Sequence, residues 1–160
     1  MPKILFICTA NICRSPMAAA MFERLVQDKR LPGAWTVASA GTWARDGMPA
    51  SENGTELMQS WGMDTRDHRS RIVSREILES ADLILTMEKS HKEALRAEFS
   101  ELAGKVFLLS EMAGGDMDIR DPYGGPMKEY EDTAREIAGF IEHGLPAILQ
   151  RLDRSGPPGG

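Results

Sequence analysis

A cysteine, five further residues and then Arg-Ser stand in a row as Cys8-Thr9-Ala10-Asn11-Ile12-Cys13-Arg14-Ser15. The apolar run Ile4-Leu-Phe-Ile7 precedes them, and Pro16-Met-Ala-Ala-Ala-Met follows. Residue types at this spacing suit phosphoryl transfer. A loop that joins a buried strand to a helix N-terminus turns successive backbone N–H groups inward, and the helix dipole adds partial positive charge. Arg14 can take two phosphate oxygens bidentately. Cys8, at the strand end, then faces the phosphorus, and a field that binds an oxyanion also favours the attacking thiolate. The bare spacing also fits a buried structural cysteine beside a surface arginine. The strand before, the helix after and the Asn11 and Ser15 inserts favour the phosphate cradle.

Transfer to a thiolate leaves a departing oxygen that needs a proton. Asp121-Pro122-Tyr123-Gly124-Gly125 offers a carboxylic acid on a loop stiffened by proline. Its composition predicts a plain turn equally well, and only the cysteine loop raises it to a candidate acid.

The elements that must position these groups alternate in type. Lys3–Ile7 is predicted as a buried strand, followed by a helix capped by Ser15, with Pro16 at its first position, reaching Asp28. Strands are expected at 35–38, 82–86 and 105–109. Helices are expected at 50–61, stopped by Gly62, at 75–80 after a Ser74 cap, at 88–99, and at 127–152. Residues 40–48, 64–71 and 114–125 are predicted loops. Pro146 should kink or break the last helix after His143-Gly144. Residues 1–153 form one domain in this reading, with 154–160 as a disordered tail. Such alternation predicts an α/β three-layer sandwich, a four-stranded parallel sheet with helices on both faces. Its ligands bind at the carboxyl ends of the strands, where Cys8 lies.

At 160 residues, 42% hydrophobic and 27% charged, the chain has the make-up of one globular domain. A net charge of −5 argues against nucleic acid or an anionic membrane as partner. No apolar run approaches the ~18 residues of a membrane span, and Met1-Pro-Lys leads into a strand instead of a leader peptide. The two cysteines do not form a disulfide framework, and no Cys/His spacing suits zinc. These signs point to a cytoplasmic protein.

Three segments, Cys8–Pro16, Ser39-Ala-Gly-Thr42 and Asp121–Gly125, make the chain resemble the bacterial branch of the low-molecular-weight protein tyrosine phosphatases over residues 3–152. The resemblance implies strand order 2-1-3-4 and no metal or cofactor. It assigns Cys8 as nucleophile, Arg14 as phosphate clamp and Asp121 as general acid, then base. It further implies a hydrogen-bonded network of Asn11, Ser15, Ser39 and His68 that holds the cradle, with Asn11 tolerating positive φ and Ser15 donating to the Cys8 sulfur. Ile12, Trp43 and Tyr123 would line the substrate cleft. Ala10 departs from the family's usual glycine, and Gly124 replaces a second tyrosine of the eukaryotic branch. His91 and His143 are expected at the surface, and Trp35 and Trp61 in the core.

The expected partner is a protein bearing phosphotyrosine, with oligomeric state left open. A protein-arginine phosphatase is the alternative, its marker a Thr where Ile12 stands. An arsenate reductase would need downstream cysteines, and none follows Cys13. A non-catalytic phospho-ligand module would have lost Cys8, Arg14 or Asp121. Cys13 is also a candidate redox partner, able to trap oxidised Cys8 as a disulfide, or else a buried small hydrophobe.

Overall fold

The computed structural model describes residues 2–154. Met1 and residues 155–160 lie outside the described residues, so the expectation of a disordered tail applies almost wholly beyond them. The chain runs β1 (Lys3–Cys8), α1 (Arg14–Asp28), β2 (Thr36–Gly41), α2 (Glu52–Ser60), α3 (Arg75–Ser80), β3 (Leu83–Thr86) and α4 (Lys89–Glu98). A 3-10 turn at Ser100–Lys105, β4 (Val106–Leu108), α5 (Leu109–Met112) and α6 (Met127–Arg154) complete it. The four strands form one parallel sheet in the order β2-β1-β3-β4.

Alternation along β1 divides the core. Ile4, Phe6 and Cys8 pack with residues of α1, α2, α5 and α6, whereas Leu5 and Ile7 pack with Leu78 of α3, Leu95 of α4 and Ile84. Strands buried on both faces read as continuous apolar runs, as Ile4–Ile7 and Leu83–Leu85 do. Phe22 of α1 bridges Phe6 and Trp35, with ring centroids 5.8 and 5.6 Å away. Trp35 and Trp61 are half-buried and pack against the larger core cluster. Truncating an interior residue such as Leu85 would cost roughly 2–5 kcal/mol.

Several boundaries differ from expectation, each for a physical reason. β2 extends to Gly41, three residues past the predicted strand end and two into the predicted loop, because Ser39, Ala40 and Gly41 pair with Phe6, Ile7 and Cys8. α1 begins at Arg14 with Cys13 as its cap residue, so Ser15 is inside the first turn and its hydroxyl serves the cradle instead. The short α5 takes over Leu109, predicted as the end of a strand, and runs through residues given no element before the predicted loop at 114–125. α6 runs unbroken through Pro146. The ring removes one N–H from the ladder, but Leu145 and Ile148 on either side are buried in the core and hold the helix together. Gly144 permits close packing there, since a Cβ would lie 2.8 Å from that of Met112. Gly62, at φ +85, stops α2 as expected, and Ser74 Oγ caps α3 by accepting from Ile77 N at 3.2 Å.

Candidate active site

The carboxyl ends of β1, β2 and β3 converge on residues 8–15. The cradle's carbonyls are drawn outward by backbone donors: Thr42 N to Cys8 O, Trp43 N to Thr9 O and Ser51 N to Ile12 O, at 3.0, 3.0 and 2.8 Å. The amides of residues 10–15 donate to no backbone carbonyl among the described residues. Such a turn presents its N–H groups to a central anion. The loop rests directly on Gly41, where a Cβ would sit 2.4 Å from Thr9 O and 3.1 Å from Asn11 N.

Asn11 ties this conformation down. It is buried at φ 59, a left-handed backbone that costs most residues roughly 1–2 kcal/mol. Its Nδ2 donates to Ser15 Oγ at 2.8 Å and Ser39 Oγ at 2.9 Å, and its Oδ1 accepts from Arg71 N at 3.0 Å. His68 Nε2 donates to the Asn11 carbonyl at 2.7 Å. Burial pushes the His68 pKa down, which keeps the ring neutral with its proton on Nε2. Ser15 Oγ accepts from Asn11 Nδ2 and lies 2.9 Å from Cys8 Sγ, so its proton can be donated to the sulfur once Cys8 is a thiolate. A hydroxyl donating to sulfur favours thiolate over thiol. Ala10 is exposed and has no positive φ, so the Cβ that replaces the usual glycine meets no obstacle.

Arg14 is 1% exposed, and a charge so buried costs several kcal/mol unless paired. Its Nη1 donates one hydrogen to Glu88 Oε2 at 2.5 Å and the other to Ile119 O at 2.6 Å. Nη1 is then fully used. Nε has no partner among the described residues, and Nη2 has only Thr9 Oγ1 at 3.4 Å and Asp121 Oδ2 at 3.7 Å. The guanidinium edge left for a bidentate oxyanion is therefore Nε–Nη2.

Sequence reasoning missed Glu88 and misplaced His91. The latter is 4% exposed, not at the surface. Its Nδ1 accepts from Glu88 N at 3.1 Å, so Nε2 carries the proton and donates to Thr9 Oγ1 at 2.8 Å. Burial lowers its pKa, against the opposing pull of Glu88. The available signal was the placement of Glu88 and His91 just beyond the β3 strand that adjoins β1. His143 is exposed, its Nδ1 2.9 Å from Gly139 O.

The acid loop meets the cradle at Arg14. Ile119 and Pro122 are buried and anchor it, and Ile119 N donates to Met87 O at 2.8 Å. A turn closes from Gly125 N to Pro122 O at 2.9 Å, with Gly124 at φ +83. Asp121 Oδ1 accepts from Tyr123 N at 3.1 Å. The turn and the candidate acid thus occupy the same five residues. Tyr123 shares a groove with Ile12, while Trp43 is 84% exposed and touches the cradle through its backbone. Cys13 is buried with Sγ 3.5 Å from Tyr130 Oη, and burial pushes its thiol pKa up. Both cysteines are free thiols. Burial and the Cys13 contact push the Tyr130 pKa up to about 12.

A parallel four-stranded sheet with a Cys-x5-Arg-Ser turn at its carboxyl edge defines a class, and comparison with known proteins agrees. The low molecular weight phosphotyrosine protein phosphatase family matches residues 3–157. A protein-arginine-phosphatase of Geobacillus stearothermophilus is 38% identical, over 88% of this chain and 91% of its own. A probable low-molecular-weight protein tyrosine phosphatase of Ralstonia solanacearum is 37% identical, over 91% of this chain and 94% of its own. The crystal structure of a low-molecular-weight protein tyrosine phosphatase from T. tengcongensis superposes with a TM-score of 0.86 at 38% identity, covering 92% of this chain and 99% of the other. The chain belongs to the low-molecular-weight phosphotyrosine protein phosphatase family, a family of hydrolases. Overall identity does not separate its tyrosine and arginine branches. Among the described residues no helix is long and apolar enough to cross a membrane.

Proposed function

We propose that this chain hydrolyses phosphotyrosine in proteins through a cysteinyl-phosphate intermediate, without a metal or cofactor. The Cys8 thiolate attacks phosphorus, and the P–O bond to the tyrosyl oxygen breaks as Asp121 gives that oxygen its proton. Asp121, now a carboxylate, takes a proton from water. The water oxygen attacks phosphorus, the S–P bond breaks and Cys8 leaves as thiolate. Arg14 and the cradle amides hold the equatorial oxygens throughout. The observation that carries this reading is the 2.9 Å contact between Ser15 Oγ and Cys8 Sγ at the base of the cradle, with Asn11 Nδ2 donating to the same hydroxyl.

The choice of tyrosine rests on Ile12, half-buried at the rim and sharing a groove with Tyr123. An apolar rim suits an aromatic ring, with stacking adding about 0.5–1.5 kcal/mol beyond burial. It offers no hydrogen bond to a desolvated guanidinium, which is costly. Trp43 completes the cleft in this reading. The test is turnover of phosphotyrosine against phosphoarginine substrates with EDTA present. Phosphotyrosine should lead by at least about tenfold in kcat/KM, roughly 1.4 kcal/mol, and Ile12→Thr should narrow the gap. Equal turnover of both substrates would transfer the assignment to the arginine branch, and loss of activity in EDTA would end the metal-free mechanism.

A further inference from the structure

A groove of about 900 Å³ runs from the cradle rim along α2. Ile12 and Tyr123 are among its lining residues, so the groove adjoins the rim of the phosphate site. The exposed Met48 and its neighbour Pro49 add apolar surface to it. Asn53 Nδ2 donates to Gly125 O at 3.4 Å, which joins the α2 wall to the acid loop. Glu52 and Glu56, one helical turn apart on α2 and both exposed, also line it. Neither has an ion-pair partner among the described residues, and no Lys or Arg lines the groove.

A groove that combines apolar surface with two carboxylates lacking ion-pair partners is the complement of a lysine or arginine side chain. The methylenes of such a chain lie on apolar surface while the charged head reaches past it. Side chains at i and i+4 leave one helix face with Cβ atoms about 5–6 Å apart, so both carboxylates can reach a single cationic head. A residue phosphorylated within a polypeptide brings its neighbours along at about 3.3 Å per extended residue, so the neighbours must run over the cradle rim. We infer that this groove receives the substrate chain beside the phosphorylated residue, and that Glu52 and Glu56 select substrates with a lysine or arginine there. This rests on the phosphotyrosine assignment above and adds a preference that the phosphate site alone cannot supply. The amides and Arg14 contact only the phosphoryl group, whereas the groove contacts sequence.

The test uses the full chain and phosphotyrosine peptides identical except for one Lys or one Glu, walked through the three residues on each side. At one or two positions Lys should exceed Glu by about fivefold in kcat/KM, the scale of two partly exposed ion pairs. The contrast should shrink at high salt. In a Glu52→Gln, Glu56→Gln double variant it should fall below about twofold, with p-nitrophenyl phosphate turnover unchanged to show that the fold and chemistry are intact. A wild-type enzyme indifferent to the flanking charge overturns the inference, as does a contrast that survives in the double variant. Phosphotyrosine peptides that are inert beside rapidly hydrolysed phosphoarginine would remove the parent assignment as well, an outcome distinct from either.

Discussion

From Asn11 to Ser15 the side chains that shape the cradle are buried, and the network is closed. Asn11 Nδ2 and Oδ1 are taken up by Ser15, Ser39 and Arg71, and Ser15 by Asn11 and Cys8. Around Asp121 the loop backbone is anchored, yet the acid's side chain is 47% exposed and held by one backbone N–H and a 3.7 Å contact with Arg14. The two halves of the proposed reaction are thus built differently. An anion-binding nucleophile gains from dipoles fixed in advance, since they need no reorganisation when charge develops. A group that must hand out a proton and take one from water keeps contact with solvent.

The largest way to break this contrast is at the cradle. Cys8→Ser should cut turnover by at least about 10⁴-fold while inorganic phosphate still binds by titration calorimetry, and Arg14→Ala should lose both. A Cys8→Ser enzyme with substantial activity would remove the cysteinyl-phosphate mechanism. Next comes the acid loop. Asp121→Asn should slow phosphotyrosine by on the order of 10²–10⁴-fold and aryl phosphates with low-pKa leaving groups much less, in steady-state kinetics. An equal loss for both would make Asp121 a structural residue.

Glu88→Gln sharpens the comparison because it keeps the shape at Arg14 and removes the charge. We expect kcat to fall about tenfold and the inhibition constant for inorganic phosphate to drop as well, since the cradle gains net positive charge. Unchanged kinetics would show that the Ile119 carbonyl alone suffices. Cys13 sets a smaller test. If it resolves oxidised Cys8, wild-type activity lost to peroxide should return with dithiothreitol, and Cys13→Ser should recover only about a tenth as much. Equal recovery would leave Cys13 as packing beside Tyr130. The smallest effect concerns pH. His68 and His91 have pKa values held below their ordinary 6.5 by burial. The unfolded chain therefore binds protons that the folded chain does not, so stability is complete above about pH 6.5 and falls as pH drops below it. Thermal melts should show a fall of up to about 1.4 kcal/mol per pH unit for each histidine, and His91→Gln should flatten that slope relative to wild type. Parallel slopes would mean that His91 takes up its proton without loss in the folded state.

What could be foreseen follows the distance between partners along the chain. Cys8, Asn11, Arg14 and Ser15 lie in one turn, so their spacing is readable locally, and the positive φ of Asn11 is what the family resemblance implied and its residue type tolerates. The sheet was legible because Ile4–Ile7 and Leu83–Leu85 are apolar throughout. Glu88 and His91 were not, because they reach the cradle across 74 and 82 residues, and nothing local distinguishes them from a solvated helix start. Ser15 was misread as a cap because a serine before proline has two uses, and only the position of Cys8 Sγ decides between them. Pro146 was overvalued as a breaker because local propensity omits the burial of Leu145 and Ile148. Gly41 looked like loop punctuation, whereas the cradle's backbone rests against its bare Cα.

The two acceptors that consume Nη1 of Arg14 have a bearing on the birth of the protein. Residues 8–15 are synthesised before Glu88 and Ile119, and Ser39, His68 and Arg71 arrive in between. Until those segments dock, Asn11 has no reason to remain in its left-handed conformation, and Arg14 has no reason to offer one edge over another. In the proposed mechanism the nucleophile is therefore made before the groups that hold its cradle, so turnover would itself report that the rest of the domain has closed.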